Sequence, residues 1–566
     1  MEFRVWAPSA RRVVLHSGTE SVAMTPDGQW WAAEDPAAGH GTDYGFTLDD
    51  DERVLPDPRS RWQPGGVHER SRVYDHDRFA WGDAAWTGRQ LAGAVVYELH
   101  VGTFTPSGTF DGAIERLPYL AELGVDLVEL LPVNAFNGEY NWGYDGVGWY
   151  AVQDSYGGPD GLKRFVDAAH RAGLGVIIDA VYNHFGPSGA YAPRFGPYLS
   201  SGANTWGRSL NLDEADSGEV RRFIIDSALQ WLRDYHADGL RLDAVHALVD
   251  RGATHLLEEL AAEVDALSTA VGRPLSLIAE SDLNDPRLVT AREGGGYGLQ
   301  AQWDDDVHHA LHAMLTGERQ GYYGDFGSPE CFATVWESAF FHAGTWSSFR
   351  RRVHGRPVDR ARIPGHRFVV CLQNHDQVGN RATGDRLAAT LSPGLLRVGA
   401  TLLLTSPFTP MLFMGEEFAA RTPWQFFTSH PEPALAAAVA QGRREEFAAH
   451  GWPPGDVPDP QDPETFARSH LDWAAMDTDM LGMYRQLIEL RKSLPGLSDP
   501  RLDRVHVTHG NGVLLIRRGA NTVVANLTGE PRTVPLRAAG VVFATDESVV
   551  LQSDLLTLPG ESAAIL

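Results

Sequence analysis

Cysteine is nearly missing from this chain of 566 residues, which has two, Cys331 and Cys371. Two thiols exclude a disulfide framework, and both read as buried free thiols. Basic residues are also short: Lys and Arg total 48 against 74 Asp and Glu, a formal net charge of -26. Nucleic acid and anionic membrane both need a cationic surplus, so neither is expected as a partner. No run of about twenty apolar residues occurs, so no segment is expected to span a bilayer. The opening MEFRVWAPSA has no basic segment ahead of an apolar stretch and a small-residue cleavage site. A secretory signal is therefore not expected, and a cytoplasmic location is. Neither a HExxH motif nor a dense His/Cys cluster is present, so no metal or other cofactor is expected. No solenoid-type repeat is visible.

What the chain does have is apolar substance, 43% of its residues, with 16 Trp and 16 Tyr. That suffices for a large core, and the length predicts two to four folding units. Residues 1–54, FRVWAPSARRVVLHSG through DYGFTLDD, alternate apolar and polar positions in short runs split by Gly, Pro and Asp. This pattern predicts an N-terminal antiparallel β-sandwich. Residues 55–90 are rich in Pro, Gly and Arg without a period, which predicts a linker packed on its neighbours.

From 91 to 496 the texture alternates between strand and helix. The strand-like segments are AVVYELHVGTF, VDLVELLPV, LGVIIDAVYNHF, GLRLDAVHAL, LSLIAES, LQAQW, RFVVCLQNHD and TPMLFMGEEF. Between them TFDGAIERLPYLAELG, GLKRFVDAAHRAG, EVRRFIIDSALQWLRDYHA and ATHLLEELAAEVDALSTAVG carry helical spacing. REGGGYG at 292–298 reads as a flexible loop. Eight short Val/Ile/Leu-rich strands separated by helices predict a parallel sheet covered on both faces. Long loops after the strands, and no Gly-rich dinucleotide fingerprint after the first, favour a closed (β/α)8 TIM barrel over an open doubly wound sheet. After the helix DMLGMYRQLIELRKSLPGL, residues 497–566 return to short β-like runs and predict a C-terminal antiparallel β-domain.

In such a barrel the C-terminal strand ends build the active site. The third strand ends in Asp179, Asn183 and His184, and the fourth carries Arg241, Asp243 and His246. The fifth ends in Glu280, and the seventh in His375 and Asp376. Arg241 and Asp243 are two apart, so they share a face. Any one of these carboxylates alone reads as a cap or half of an ion pair, but four on one rim do not. Two carboxyl groups with separated pKa values are what glycoside hydrolysis requires. The guanidinium beside Asp243 favours its charged form, while the apolar run before Glu280 favours the protonated acid. Metal-assisted hydrolysis is the rival use of such a rim.

The segments DAVYNH, GLRLDAVH, IAES and QNHD, in this order, resemble the four signature segments of the α-amylase superfamily of retaining glycosidases. The resemblance implies Asp243 as nucleophile, Glu280 as acid/base and Asp376 as the carboxylate that stabilises the transition state. It implies further that Arg241, His184 and His375 hold the sugar or orient the nucleophile. Tyr144, in NWGYDGVGWY, would lie beneath the sugar, and Asp179 would organise the site. Asn183 matches a position that binds calcium in many amylases, but the rest of such a site is not evident. FRVWAPSA resembles the start of the N-terminal domain of branching, debranching and trehalose-releasing members, while PDPRSRWQPGGVH, QWDDDVHHALH and FMGEEFAARTPWQFFTSHPEPALAAAVAQGRREEF are similar to the maltooligosyltrehalose trehalohydrolases of that superfamily. This second resemblance implies maltooligosyl trehalose as substrate and trehalose as product. On the leaving-group side, Trp303, Asp305, Asp306, His308, His309, Gln377 and Asn380 are expected to contact substrate, as is His246. A branching transglycosylase with the same three carboxylates is the alternative, and a non-catalytic glucan-binding scaffold a more distant one.

Overall fold

The computed structural model describes residues 1–449 and 456–566. The eight apolar segments form strands in which every residue is buried: β1 (Val96–Leu99), β2 (Leu127–Leu130), β3 (Gly175–Ala180), β4 (Gly239–Leu242), β5 (Ser276–Ala279), β6 (Ala301–Trp303), β7 (Phe368–Cys371) and β8 (Thr409–Phe413). Both faces are covered, one by the barrel interior and one by helices, which is why VYEL or SLIA shows no polar alternation. The strands pair in parallel in chain order, and β8 closes onto β1. The (β/α)8 barrel expected from the sequence is therefore present.

Alternation along the strands divides the interior into layers. Val96, Leu127, Ile177 and Ile278 belong to an apolar plug that also holds Ala301, Val369 and Met411. Two residues further along the same four strands the inward positions are Glu98, Glu129, Asp179 and Glu280. Glu98 lies opposite Glu129 in the β1–β2 register, and Asp179 opposite Arg241 in the β3–β4 register. The polar layer thus sits at the C-terminal end of the barrel, above a dry base.

Two elements differ from expectation. AVVYELHVGTF is not strand throughout: it stops at Leu99, and Val101–Phe104 forms a helical turn. TFDGAIERLPYLAELG is two short helices, Phe110–Ile114 and Leu117–Leu123, rather than one. Pro118 explains the break, because it has no N–H for the carbonyl of residue 114 and its ring would clash there; the chain restarts with that proline in the first turn. REGGGYG includes a 3-10 turn at Arg292–Gly294.

Before the barrel lie two antiparallel sheets. One has three strands, Glu2–Trp6, Trp30–Glu34 and Thr25–Asp27. The other has four, ending in Ser71–Arg72, which pairs with Asp43–Leu48. After the barrel, a five-stranded antiparallel sheet includes Val505–Gly510, Val513–Arg518, Asn521–Asn526 and Ser562–Ile565, and a three-stranded one covers it. Among the described residues no helix is long and apolar enough to cross a membrane.

Candidate active site

Strand β4 runs into Asp243, and alternation turns Arg241 and Asp243 inward together. Arg241 is fully buried. Its Nη1 donates to Asp243 Oδ1 at 2.8 Å and to both oxygens of Asp179 at 2.9 Å, while Nη2 lies 2.9 Å from Glu280 Oε2. One guanidinium therefore gathers the ends of β3, β4 and β5. Beneath it lies Trp303, whose ring centroid is 4.3 Å from the guanidinium carbon, a cation–π contact that partly replaces lost hydration.

The other oxygen of Asp243 accepts from Asn183 Nδ2 at 2.6 Å. The Asn183 carbonyl faces His184 Nδ1, and His184 Nε2 lies 2.9 Å from the carbonyl of Tyr144. Asn183 is thus committed to Asp243 and His184. Ala244, next in the chain, adopts a left-handed conformation (φ 38°, ψ 51°), which aims its N–H at Glu280 Oε2 over 2.7 Å. Glu280 Oε2 is occupied twice, so Oε1 is the oxygen left to carry a proton. Burial raises the Glu280 carboxyl above its ordinary range, and the charge of Asp243 adds to this while Arg241 opposes it.

Why does a strand buried on both faces stop at Asn374, His375 and Asp376? Asn374 caps the turn His375–Gly379, accepting from the Gln377 N–H at 2.7 Å. His375 points into the barrel, and Asp376 projects to the mouth with its side chain 41% exposed. Asp376 Oδ1 accepts from Asn380 Nδ2 at 3.0 Å, and Asn380 Oδ1 in turn takes Arg443 Nη1 at 3.1 Å. The His375 ring stacks on Tyr144, centroids 5.2 Å apart, and its Nε2 lies 2.8 Å from the Tyr144 hydroxyl. That hydroxyl donates to Asp179 Oδ2 over 2.6 Å. Burial pushes Asp179 up to about 7, against the pull of Arg241.

The remaining expected residues divide into two groups. Asp305 opens the helix Asp305–Thr316 facing the carboxylates, and burial plus the charges of Glu280 and Asp376 push it up to about 7. Gln377 lies 3.4 Å from the Tyr323 hydroxyl, and His246 is exposed, 3.9 Å from Asp282. The others are drawn into supporting roles. Asp306 Oδ2 is spent on the N–H groups of Phe341 and His342 and on Asn284. His308 is buried against His309 and His312, and His309 stacks on Tyr322. These residues hold the wall of the mouth together.

Sequence reasoning passed over several groups that the fold brings here. Glu98 hydrogen-bonds His375 from below. Trp206, 46% exposed in the hairpin Leu199–Leu210, stacks on His184 at 5.6 Å and lies near His246. Phe349, 51% exposed, contacts Tyr322, and its neighbour Arg350 reaches Asp282 at 3.3 Å. Two exposed aromatic rings beside the mouth offer apolar faces of the kind that sugar rings cover. No motif marks them; an exposed Trp in a polar hairpin was the only available signal.

Residues 73–195 match the family described as alpha amylase, catalytic domain. The malto-oligosyltrehalose trehalohydrolase of Arthrobacter ramosus is 57% identical, the match covering 100% of this chain and 99% of the relative. That of Rhizobium sp. (strain M-11) is 54% identical over 100% of this chain and 97% of its own length. Among solved structures, a putative alpha amylase from Salmonella typhimurium superposes with a TM-score of 0.92 at 38% identity, covering 100% of this chain and 97% of that one. The catalytic-domain match and full-length similarity together place the chain in a family: it belongs to the malto-oligosyltrehalose trehalohydrolases of the α-amylase superfamily.

Proposed function

We propose that this protein is a retaining glycoside hydrolase that cleaves the α-1,4-glucosidic bond next to the terminal trehalose of maltooligosyl trehalose, releasing trehalose and a maltooligosaccharide. One observation carries the chemistry: a single buried guanidinium, Arg241, touches both Asp243 and Glu280. Two carboxyl groups on one guanidinium fit the close spacing of retaining enzymes, about 5–5.5 Å, in which no water stands between them. Asp243, held on both oxygens by groups that can only donate, attacks the anomeric carbon as the carboxylate. Glu280 Oε1 delivers its proton to the leaving glycosidic oxygen and later deprotonates the incoming water. Asp376, half-exposed at the mouth with Oδ1 held by Asn380, accepts hydrogen bonds from sugar hydroxyls as the ring distorts toward the oxocarbenium-like state. Tyr144, His375 and His184 line the reacting sugar's subsite.

For the leaving group, Asp305, Gln377, Asn380 and the aromatic pair Tyr322 and Phe349 form the wall beyond Glu280. A site built around hydroxyl groups rejects analogues that leave its polar groups unpaired, and this supports selection for a terminal trehalose unit. The identity with trehalohydrolases over full length favours hydrolysis over glucan transfer.

Chromatography of products from maltooligosyl trehalose and from plain maltooligosaccharides, side by side, tests the reading. Trehalose should be released from the first at a far higher rate, and Asp243→Ala should abolish turnover. Release of glucose or maltose alone would remove the specificity, and α-1,6 branches formed on amylose would assign the chain to glucan transfer instead.

A further inference from the structure

Glu98 lies on β1, 1% exposed, where no sugar reaches it, yet both of its oxygens are spent on one residue. Oε1 is 2.6 Å from His375 Nδ1, and Oε2 accepts the His375 backbone N–H at 2.9 Å. With Asp179 ionised beneath Arg241, which donates to both of its oxygens, the state of that ring follows from counting protons. Tyr144 has one hydroxyl proton, and it then goes to Asp179, so the contact to His375 Nε2 needs an N–H from the ring. A carboxylate oxygen can only accept, so Nδ1 donates too. With both nitrogens donating, His375 is an imidazolium.

The surroundings fit this count. Burial by itself would neutralise the ring, but the Glu98 carboxylate outweighs it and raises His375 to about 9. Besides His375, Glu98 faces Glu129 on β2 and acts on Cys371, and the other charges that act on the His375 ring are Asp376 and Arg241. Glu129 has no hydrogen-bond partner for either oxygen among the described residues. Burial and the Glu98 charge drive it well above the usual carboxylate range, which favours its neutral form.

We infer that Glu98 is a positioning residue of the reaction: its two hydrogen bonds hold the His375 ring and the backbone just ahead of Asp376, and through His375 they aim the Tyr144 hydroxyl at Asp179. Both groups that meet the sugar from this side, the Tyr144 ring and Asp376, are then set from inside the barrel. The inference rests on the glycosidase reading of the site.

Glu98→Gln conserves shape but turns one acceptor into a donor, so one N–H of His375 loses its partner. With maltooligosyl trehalose as substrate, kcat should fall by about 10- to 100-fold, as small misplacements of catalytic groups do. KM should change less than about threefold, and the pH optimum should move about one unit to acid as the imidazolium loses its counter-ion. A protein in which Glu98 merely fills space would lose stability without that pH displacement. Independently, 15N NMR of histidine-labelled wild-type protein at pH 7.5 should show both His375 ring nitrogens protonated, the signal being assigned by its absence in His375→Gln. A neutral ring in wild type, or wild-type kcat and pH optimum in Glu98→Gln, would overturn the inference. If Glu98→Gln does not fold, the wild-type spectrum decides alone. Should the wild-type protein release no trehalose, the functional reading fails while the spectrum still reports on the Glu98–His375 pair.

Discussion

Between Asp243 and Glu280 stands one backbone N–H, that of Ala244, in a conformation L-residues rarely adopt. It occupies one oxygen of Glu280 and leaves the proton to the other. Because Glu280 is raised above the ordinary carboxylate range, it is protonated at a pH where a free glutamate is not, and activity should fall as pH rises through that value. Glu280→Gln should lower kcat by about 10²–10⁴-fold and erase the alkaline limb of the pH–rate profile. Asp305 supplies a second residue-scale test. Its negative charge, which develops as pH rises through about 7, opposes ionisation of Glu280. Asp305→Asn removes that charge, so the alkaline limb should move to lower pH; an unmoved limb would show that Asp305 does not act on the acid.

Connecting elements are tied to the barrel by buried ion pairs at the end away from the active site. His170, on the helix Gly158–Arg171, lies 2.8 Å from Asp83 and 2.9 Å from Asp238, and Asp83 also holds His236 at 2.8 Å. Trp86 stacks on His170 and donates to Asp238 at 2.8 Å. Burial alone would lower the His170 pKa, but hydrogen bonds to Asp238 and Asp83 overcome it and the folded value is raised. A raised histidine stabilises in full below its unfolded pKa of about 6.5, and that contribution is lost as pH rises through the folded value. Asp83 shifts the opposite way: burial resists, yet its two histidine partners hold it below the usual range, so its share is lost only as pH falls toward that depressed value. The Tm of the wild-type protein should therefore decline on the alkaline side of about 6.5. His170→Gln should be less stable at pH 6 by ~1–3 kcal/mol and lack that part of the decline. Equal slopes for the two proteins would refute the assignment.

At the scale of the whole molecule, arginines bind the C-terminal sheet to the barrel by spending their donors on carbonyl oxygens. Arg518, on Val513–Arg518, is buried and donates to Thr405 at the end of the helix Pro393–Leu404, and to Leu497 and Asp499 at 3.1 and 2.7 Å. Arg491, on the preceding helix Thr478–Ser493, donates in the same way to Leu404 and Ser406, at 3.0 and 2.7 Å, and so ties that helix to the barrel. Arg518→Leu strands three carbonyl groups and should cost about 2–4 kcal/mol in denaturant unfolding. Arg518→Lys should recover little, because a point charge cannot match a planar fork. The amino-acid order by itself determined the barrel and the rim of carboxylates. Period-two alternation and buried apolar runs are local properties, and Arg241 and Asp243 share a face at any tertiary arrangement. Pro118 marked its helix break equally locally. The tertiary structure alone decided which partners meet. Glu98 sits in an apolar strand that reads like its neighbours, and its histidine lies 277 positions away. Trp206 and Phe349 reach the mouth from hairpins with no motif. QWDDDVHHALH looked like one contact surface, yet a helix sends adjacent side chains in different directions, so Asp305 meets the carboxylates while Asp306 and His308 brace the wall. Contacts between distant segments depend on loop closure and packing, which no local pattern encodes.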